Sequence, residues 1–149
     1  MTAPRPRIES IEDVETFLAK AGYVSDRDIA TALFLALRLR RPLLIEGHAG
    51  VGKTEIAKVL AEALGSDLLR LQCYEGLDAS AALYEWNYPK QILRIRMEES
   101  SALSASQKEA AIFGEEYLLE RPLLRALRHA SESPVLLIDE IDRADEEFE

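Results

Sequence analysis

The chain has 149 residues, 48% of them hydrophobic and 30% charged, with a formal net charge of −9. This is an ordinary soluble globular composition, long enough for one domain with a real core, and its acidity argues against general binding to phosphate backbones. The longest aliphatic runs, such as Val135 to Ile138, are far too short to span a bilayer, and the basic start Met1 to Arg7 has no apolar stretch behind it, which excludes a secretory signal.

Residues 1 to 8 read as a flexible tail with two prolines. Ser10-Ile11-Glu12-Asp13 is a helix start of the capping-box kind. Ile11, Val14, Phe17, Leu18 and Ala21 follow at helical spacing, and Gly22 stops them. Residues 1–22 are thus an N-terminal tail and helix, and the domain proper is expected over 23–149. Ser25-Asp26-Arg27-Asp28 repeats the start signal. Ile29, Ala32, Leu33, Ala36 and Leu37 make the stripe of a second helix, which Pro42 ends. Arg38, Arg40 and Arg41 read as the solvated end of that helix, where cations suit the dipole.

Leu43 to Ile45 is expected to be a strand, and it runs into Gly47-His48-Ala49-Gly50-Val51-Gly52-Lys53-Thr54. This is G-x-x-x-x-G-K-[ST] with a helical pattern directly after it. Each residue type has a physical task. The glycines let successive N–H groups point into one concavity, and the helix start adds the positive end of its dipole. Lys53 can reach the β- and γ-phosphates of a nucleoside triphosphate, and the Thr54 hydroxyl can ligate Mg²⁺. The plain alternative is a glycine-rich turn followed by lysine and threonine through chance.

Ile56, Val59, Leu60, Ala63 and Leu64 give the next helix one apolar face, closed by Gly65. Leu68 to Cys73 reads as a second strand. The single cysteine, Cys73, rules out an internal disulfide and fits a reducing cytoplasm, where it reads as a small apolar residue at a strand end. Residues 78 to 97 look largely helical, with Pro89 as an interruption. Ser100 to Ser106 is serine-rich and reads as a loop, and 107 to 119 is ambiguous around Gly114. Pro122 suits the first turn of a helix carrying Leu123, Leu124, Leu127 and Ala130.

Val135 to Ile138 is apolar on both faces, as in a buried parallel strand, and it ends in Asp139-Glu140. Ligands of open α/β sheets bind at the carboxyl ends of the strands, so the glycine-rich loop and these acids should share one edge. Asp139 is placed to hold Mg²⁺ and Glu140 to orient and deprotonate a water attacking the γ-phosphate. Asp142 and Asp145 read as a solvated acidic face. A GTPase would carry Asp-x-x-Gly here. Asp139 is followed three positions on by Asp142, so that reading weakens.

Gly47 to Thr54 followed by Leu137-Ile138-Asp139-Glu140-Ile141-Asp142-Arg143-Ala144 resembles the AAA+ ATPases of the MoxR group. Leu71-Gln72-Cys73-Tyr74-Glu75-Gly76-Leu77-Asp78, with Leu83-Tyr84-Glu85-Trp86-Asn87-Tyr88-Pro89, is similar to the CoxD-type branch, which is associated with maturation of the carbon monoxide dehydrogenase metal site. The resemblance implies an α/β fold: a P-loop NTPase of three αβα layers around a parallel sheet. It also implies Mg²⁺-dependent ATP hydrolysis, a hexameric ring, a partner with a von Willebrand factor A domain, and remodelling of a client enzyme in the cytoplasm. The phosphate-binding loop would be 47–54 and the acidic motif 135–140. The stretch between Lys53 and Asp139 is longer than one helix, one strand and one further helix require, so 90–121 is the candidate for the family's helix insertion. Tyr23 and Val24, just before the second helix, would lie near the adenine, against ordinary packing at a helix entrance.

His48 and Ala49 stand where the family usually has prolines, at free positions of the motif. The family's sensor asparagine, arginine finger, helical lid and two further strands have no counterpart in the sequence, and one of those strands would lie between Leu43–Ile45 and Val135–Ile138. The expectation is therefore a fragment or an incomplete gene product. Its alternatives are a nucleotide-binding module without turnover, or a P-loop ATPase that moves nucleic acid, which the acidity disfavours.

Overall fold

In the computed structural model, residues 8–48, 50–97, 107, 111–130, 133–145 and 148 are described. The fold is mixed α/β, and it divides into two compact units: Met1–Arg70 with His129–Asp139, and Leu71–Arg128 with Glu140–Glu149.

The first unit is built on three helices. α1 (Ile11–Lys20) opens with the capping box read from the sequence: the Asp13 N–H donates to Ser10 Oγ at 3.1 Å, and the Ser10 N–H donates to the Asp13 carboxylate at 2.9 Å. It closes in a Schellman turn, with the N–H of Gly22 donating to Ala19 O and that of Tyr23 to Leu18 O. α2 (Arg27–Leu39) is capped by Asp26, whose carboxylate accepts from the Ile29 N–H at 2.8 Å. It ends three residues before Pro42, on Arg40 in the left-handed conformation, and Arg38, Arg40 and Arg41 are all exposed, as expected. α3 (Lys53–Leu64) follows the glycine-rich loop and closes on Gly65.

Helical spacing decides what these helices bury. Val14 and Leu18 of α1, Ala30 and Leu33 of α2, and Ile56 and Val59 of α3 form one core, with Phe17, Ile29, Phe34, Ile45 and Leu60 packed around it. The valine, leucine and isoleucine side chains among them each contribute about 1.5–3 kcal/mol when fully buried.

β1 (Leu68–Gln72) pairs with β4 (Val135–Asp139) in a parallel two-stranded sheet. β4 is less enclosed than its aliphatic sequence predicts, and Ile138 is 39% exposed. The physical reason is that β4 bonds to a single neighbour among the described residues. The same shortage of partners corrects the expectation for Leu43 to Ile45. These residues form no strand, and Leu44 is 70% exposed. An extended segment becomes a strand only by hydrogen bonding to a neighbour, and no such ladder reaches this one.

In the second unit, α4 (Ala79–Leu83) starts on Asp78, whose carboxylate accepts from the Ala81 N–H at 2.7 Å. The long helix expected over 78–97 is broken here. β2 (Tyr84–Trp86) intervenes and pairs antiparallel with β3 (Leu118–Glu120), Glu85 opposite Leu119. α5 (Tyr88–Met97) then begins, with Pro89 in its first turn, where a missing N–H costs nothing. Pro89 therefore starts a helix and does not interrupt one.

Ser100–Ser106 lies outside the described residues, as does part of the ambiguous 107–119. The described remainder contains a 3₁₀ turn at Glu115–Tyr117 after Gly114, and then β3. α6 (Pro122–Leu127) has Pro122 in its first turn as expected, but it stops before Ala130. Arg128 ends it, its guanidinium held by Glu120 and Glu115, each at 3.0 Å. The core of this unit is Leu71, Cys73, Leu77 and Ala82, with Leu123, Ala144 and Phe148 against it. Cys73 directly follows β1 and is 1% exposed, in keeping with its reading as a small apolar residue at a strand end.

Candidate functional site

The glycine-rich loop ends where α3 begins. Gly50 and Gly52 have φ of +83° and +88°, a region that side chains with a Cβ enter only with strain. Gly52 is also the N-cap of α3, and no side chain caps the helix there. The first N–H groups of a helix have no partner within it, and they carry the positive end of the dipole. This start therefore offers donors to an anion and supplies no acceptor of its own.

Lys53 is folded back over the loop. Its Nζ donates to the carbonyl oxygens of Gly47 and His48, the latter at 2.9 Å. The ammonium is thus held beside the loop backbone by two weak acceptors that a phosphate could replace. Gly47, His48, Gly50 and Val51 are exposed, while Gly52, Lys53 and Thr54 are half-buried. Ala49 lies outside the described residues.

Thr54, in the first turn of α3, meets the end of β4. Its hydroxyl donates to Asp139 Oδ2 at 3.4 Å, although 85 residues separate the two. The side chain of Asp139 is 19% exposed. Both groups read as Mg²⁺ ligands are therefore neighbours, and they are hard oxygen donors of the type this ion takes. The loop, the uncapped helix start and this oxygen pair fit a magnesium–nucleoside triphosphate.

Glu140 follows in the left-handed conformation (φ 55°) at the start of a 3₁₀ turn, Ile141–Arg143. Its carboxylate accepts from Arg143 Nε at 3.0 Å and is 42% exposed. Asp142 and Asp145 are both exposed, and the Asp145 carboxylate accepts from the Gly76 N–H at 3.2 Å. Asp145 thus fastens a turn of the second unit and is more than a solvated acid.

Tyr23 and Val24 divide. Tyr23 is packed on the first core, with its ring edge about 4.0 Å from where a Cβ on Gly52 would lie. Val24 is 95% exposed. Tyr23 thus has both the packing role and a position beside the loop, whereas Val24 has neither a packing partner in the core nor burial.

One residue at this site escaped the sequence reading. Arg70 of β1 donates to Asp139 Oδ2 at 2.6 Å, on the same oxygen that Thr54 approaches. The signal was present in the alternation of the strand. Leu69 and Leu71 are buried, so Arg70 between them must face the other way. A groove in the second unit lined by Tyr74, Glu75 and Arg143 contains none of the motif residues. Among the described residues no cluster of three or more histidine, cysteine, aspartate or glutamate side chains could hold a metal, so a cation here would depend on hydroxyl, carboxylate and phosphate oxygens together. No helix among the described residues is long and apolar enough to cross a membrane.

Comparison with known proteins bears on the same stretch. A segment of 48 residues, 32% of this chain, is 44% identical to Midasin of Giardia intestinalis, of which it covers 1%. No solved structure matches. Residues 42–148, from the loop through the acidic motif, match the AAA domain (dynein-related subfamily). The match reaches the family and not the MoxR or CoxD branch within it. With its glycine-rich loop, uncapped helix start and paired Thr54 and Asp139 inside the matched region, the chain belongs to the AAA domain family, in its dynein-related subfamily.

Proposed function

We propose that the chain binds Mg-ATP in the loop 47–54 and forms the hydrolytic half of a MoxR-type AAA+ ATPase that remodels or matures a client metalloenzyme. The observation that carries this reading is the approach of Thr54 to Asp139. Two motifs far apart in sequence supply oxygen ligands at one place. The backbone N–H groups of 47–54 and Lys53 hold the phosphates, and Thr54 and Asp139 hold Mg²⁺. When bound, the ion neutralises charge on the phosphates. Glu140, the acid that directly follows Asp139, would serve as the base for the attacking water. Assembly into a hexameric ring and work with a von Willebrand factor A domain partner belong to this proposal through the family resemblance.

Calorimetric titration of the 149-residue chain with Mg-ATP tests the site. Lys53→Ala is expected to abolish binding, and unchanged affinity would remove the loop from its role. Glu140→Gln is expected to bind Mg-ATP and lose turnover. A wild-type rate would exclude Glu140 as the base.

A second reading is nucleotide binding without turnover. The pairing of Glu140 with Arg143 favours it, because a base engaged by an arginine is held away from a water. Binding with no phosphate release in the wild type, and release in Arg143→Ala, would select it. DNA binding that weakens with salt would instead revive a nucleic-acid motor.

A further inference from the structure

The turn at residues 74–77 belongs to neither nucleotide motif, yet it is fastened to the segment that follows Asp139. The Leu77 N–H donates to Tyr74 O at 3.1 Å and closes the turn. Gly76, with a φ of +83°, presents its N–H to the Asp145 carboxylate at 3.2 Å. Leu77 is buried, and Ala144 packs against the same core. The turn and residues 140–145 thus form one small framework inside the second unit.

The groove lined by Tyr74, Glu75 and Arg143, of about 380 Å³, lies on this framework. Its lining is of three kinds. Tyr74 is 53% exposed and offers an aromatic ring. Glu75 is exposed and forms no ion pair with any described residue. Arg143 meets Glu140 through Nε at 3.0 Å, and its side chain is 65% exposed. A guanidinium has five donors, so Glu140 leaves most of this one open to a second acceptor. A simple anion would meet Glu75 here, and a simple cation would meet Arg143. The complementary ligand carries both charges beside an apolar body. Successive side chains of an extended peptide point to opposite sides, so an acidic residue followed by a lysine delivers one charge to each wall.

We propose that the groove docks an extended polypeptide segment in which an acidic residue is followed by a lysine, and that docking loosens Glu140 from Arg143. The incoming carboxylate and that of Glu140 share one cation, so each weakens the hold of the other. Docking thereby makes Glu140 available. That consequence rests on the reading of Glu140 as the base, whereas the docking site itself does not.

The test is a titration of the 149-residue chain with the probe acetyl-Ala-Glu-Lys-Ala amide, followed by the amide resonances of residues 74–77 in NMR spectra. Affinity of about millimolar order is expected from a few exposed contacts. Arg143→Gln, or glutamine in place of glutamate in the probe, should weaken binding about threefold, the worth of one exposed ion pair. Glu75→Gln should do the same through the lysine end. Glu140→Gln should tighten binding about twofold to threefold, because coupling between two sites is reciprocal. Equal affinity for the glutamate and glutamine probes, acetate binding as tight as that of the probe, or unchanged affinity in Glu140→Gln would overturn the proposal. Should Arg143→Gln fail to fold, Glu75→Gln decides in its place, and no loss there overturns the proposal equally.

ATP turnover measured beside the titration separates the two readings. A wild-type rate in Glu140→Gln would defeat Glu140 as the base and leave the docking site standing on its binding data. Lost turnover in that variant, with no tightening of the probe, would defeat only the present inference.

Discussion

The two units use their helices differently. In the first, α1, α2 and α3 each commit one stripe to a shared core, and Val14, Leu18 and Ala30 are wholly enclosed. In the second, α5 leaves Tyr88, Ile92, Leu93, Ile95 and Met97 exposed, and of its residues 88–97 only Gln91 is buried. Local contacts anchor its start: Lys90 Nζ donates to Glu116 O at 2.7 Å and stands 5.0 Å from the Tyr117 ring, and the Gln91 amide donates to Ile112 O at 2.6 Å. Trp86 adds an edge-on contact to Phe113, with ring centroids 5.4 Å apart. One unit is held by the periodic apolar burial of three helices, and the other by a smaller core with short elements tied on through polar and aromatic contacts.

The largest effect that separates the two should come from their centres. Leu18→Ala, at a fully buried position, should cost about 2–5 kcal/mol in denaturant unfolding. Leu77→Ala, 1% exposed in the smaller core, belongs in the same range. A loss below 1 kcal/mol for Leu77 would show that the second core relaxes around a cavity. Next in size, Gly52→Ala should destabilise by about 1–2 kcal/mol through its left-handed backbone. A neutral result would mean that the loop shifts freely.

Ser10→Ala should cost about 1 kcal/mol by removing half of the α1 capping box. The other half is sensitive to pH. The N–H groups of Glu9 and then of Ser10 hold the Asp13 carboxyl below the ordinary aspartate value of 3.8. Because the folded value is lowered, the stabilisation is complete above 3.8 and is lost as pH falls through the lower folded value. Asp13→Asn should flatten the stability profile in that acid window and leave it unchanged near neutrality in slope. A profile as steep as that of the wild type would assign the acid sensitivity elsewhere. The smallest effect is expected on α5. Ile92→Lys should change stability by no more than about 0.5 kcal/mol, and a larger loss would mean that this face is covered.

What could be read from the sequence follows the same division. Ser10 with Asp13, Asp26, Gly22 and Gly65 are local signals, and each marks a helix end where the chemistry of that residue alone decides the outcome. The glycine-rich loop and the acids after β4 were legible for the same reason, because donors, charge and spacing are all written within a few residues. β2 was not legible, because Tyr84–Trp86 becomes a strand only by meeting Leu118–Glu120. Leu43–Ile45 failed in the opposite direction: it has the apolar composition of a strand and lacks a ladder. Arg70 was missed because an arginine on a strand carries no motif. Its meaning comes from Asp139, which a different part of the chain delivers.

Cys73 is the only thiol in the sequence, and it sits in the smaller core at 1% exposure. An alkylating reagent cannot reach it until Leu71, Leu77 and Ala82 part. The rate of its modification is therefore a clock for the opening of that core, built into the natural sequence and readable by mass without any added label. Run in the presence and absence of nucleotide, the same clock would time whether events at the phosphate loop are felt in the other unit.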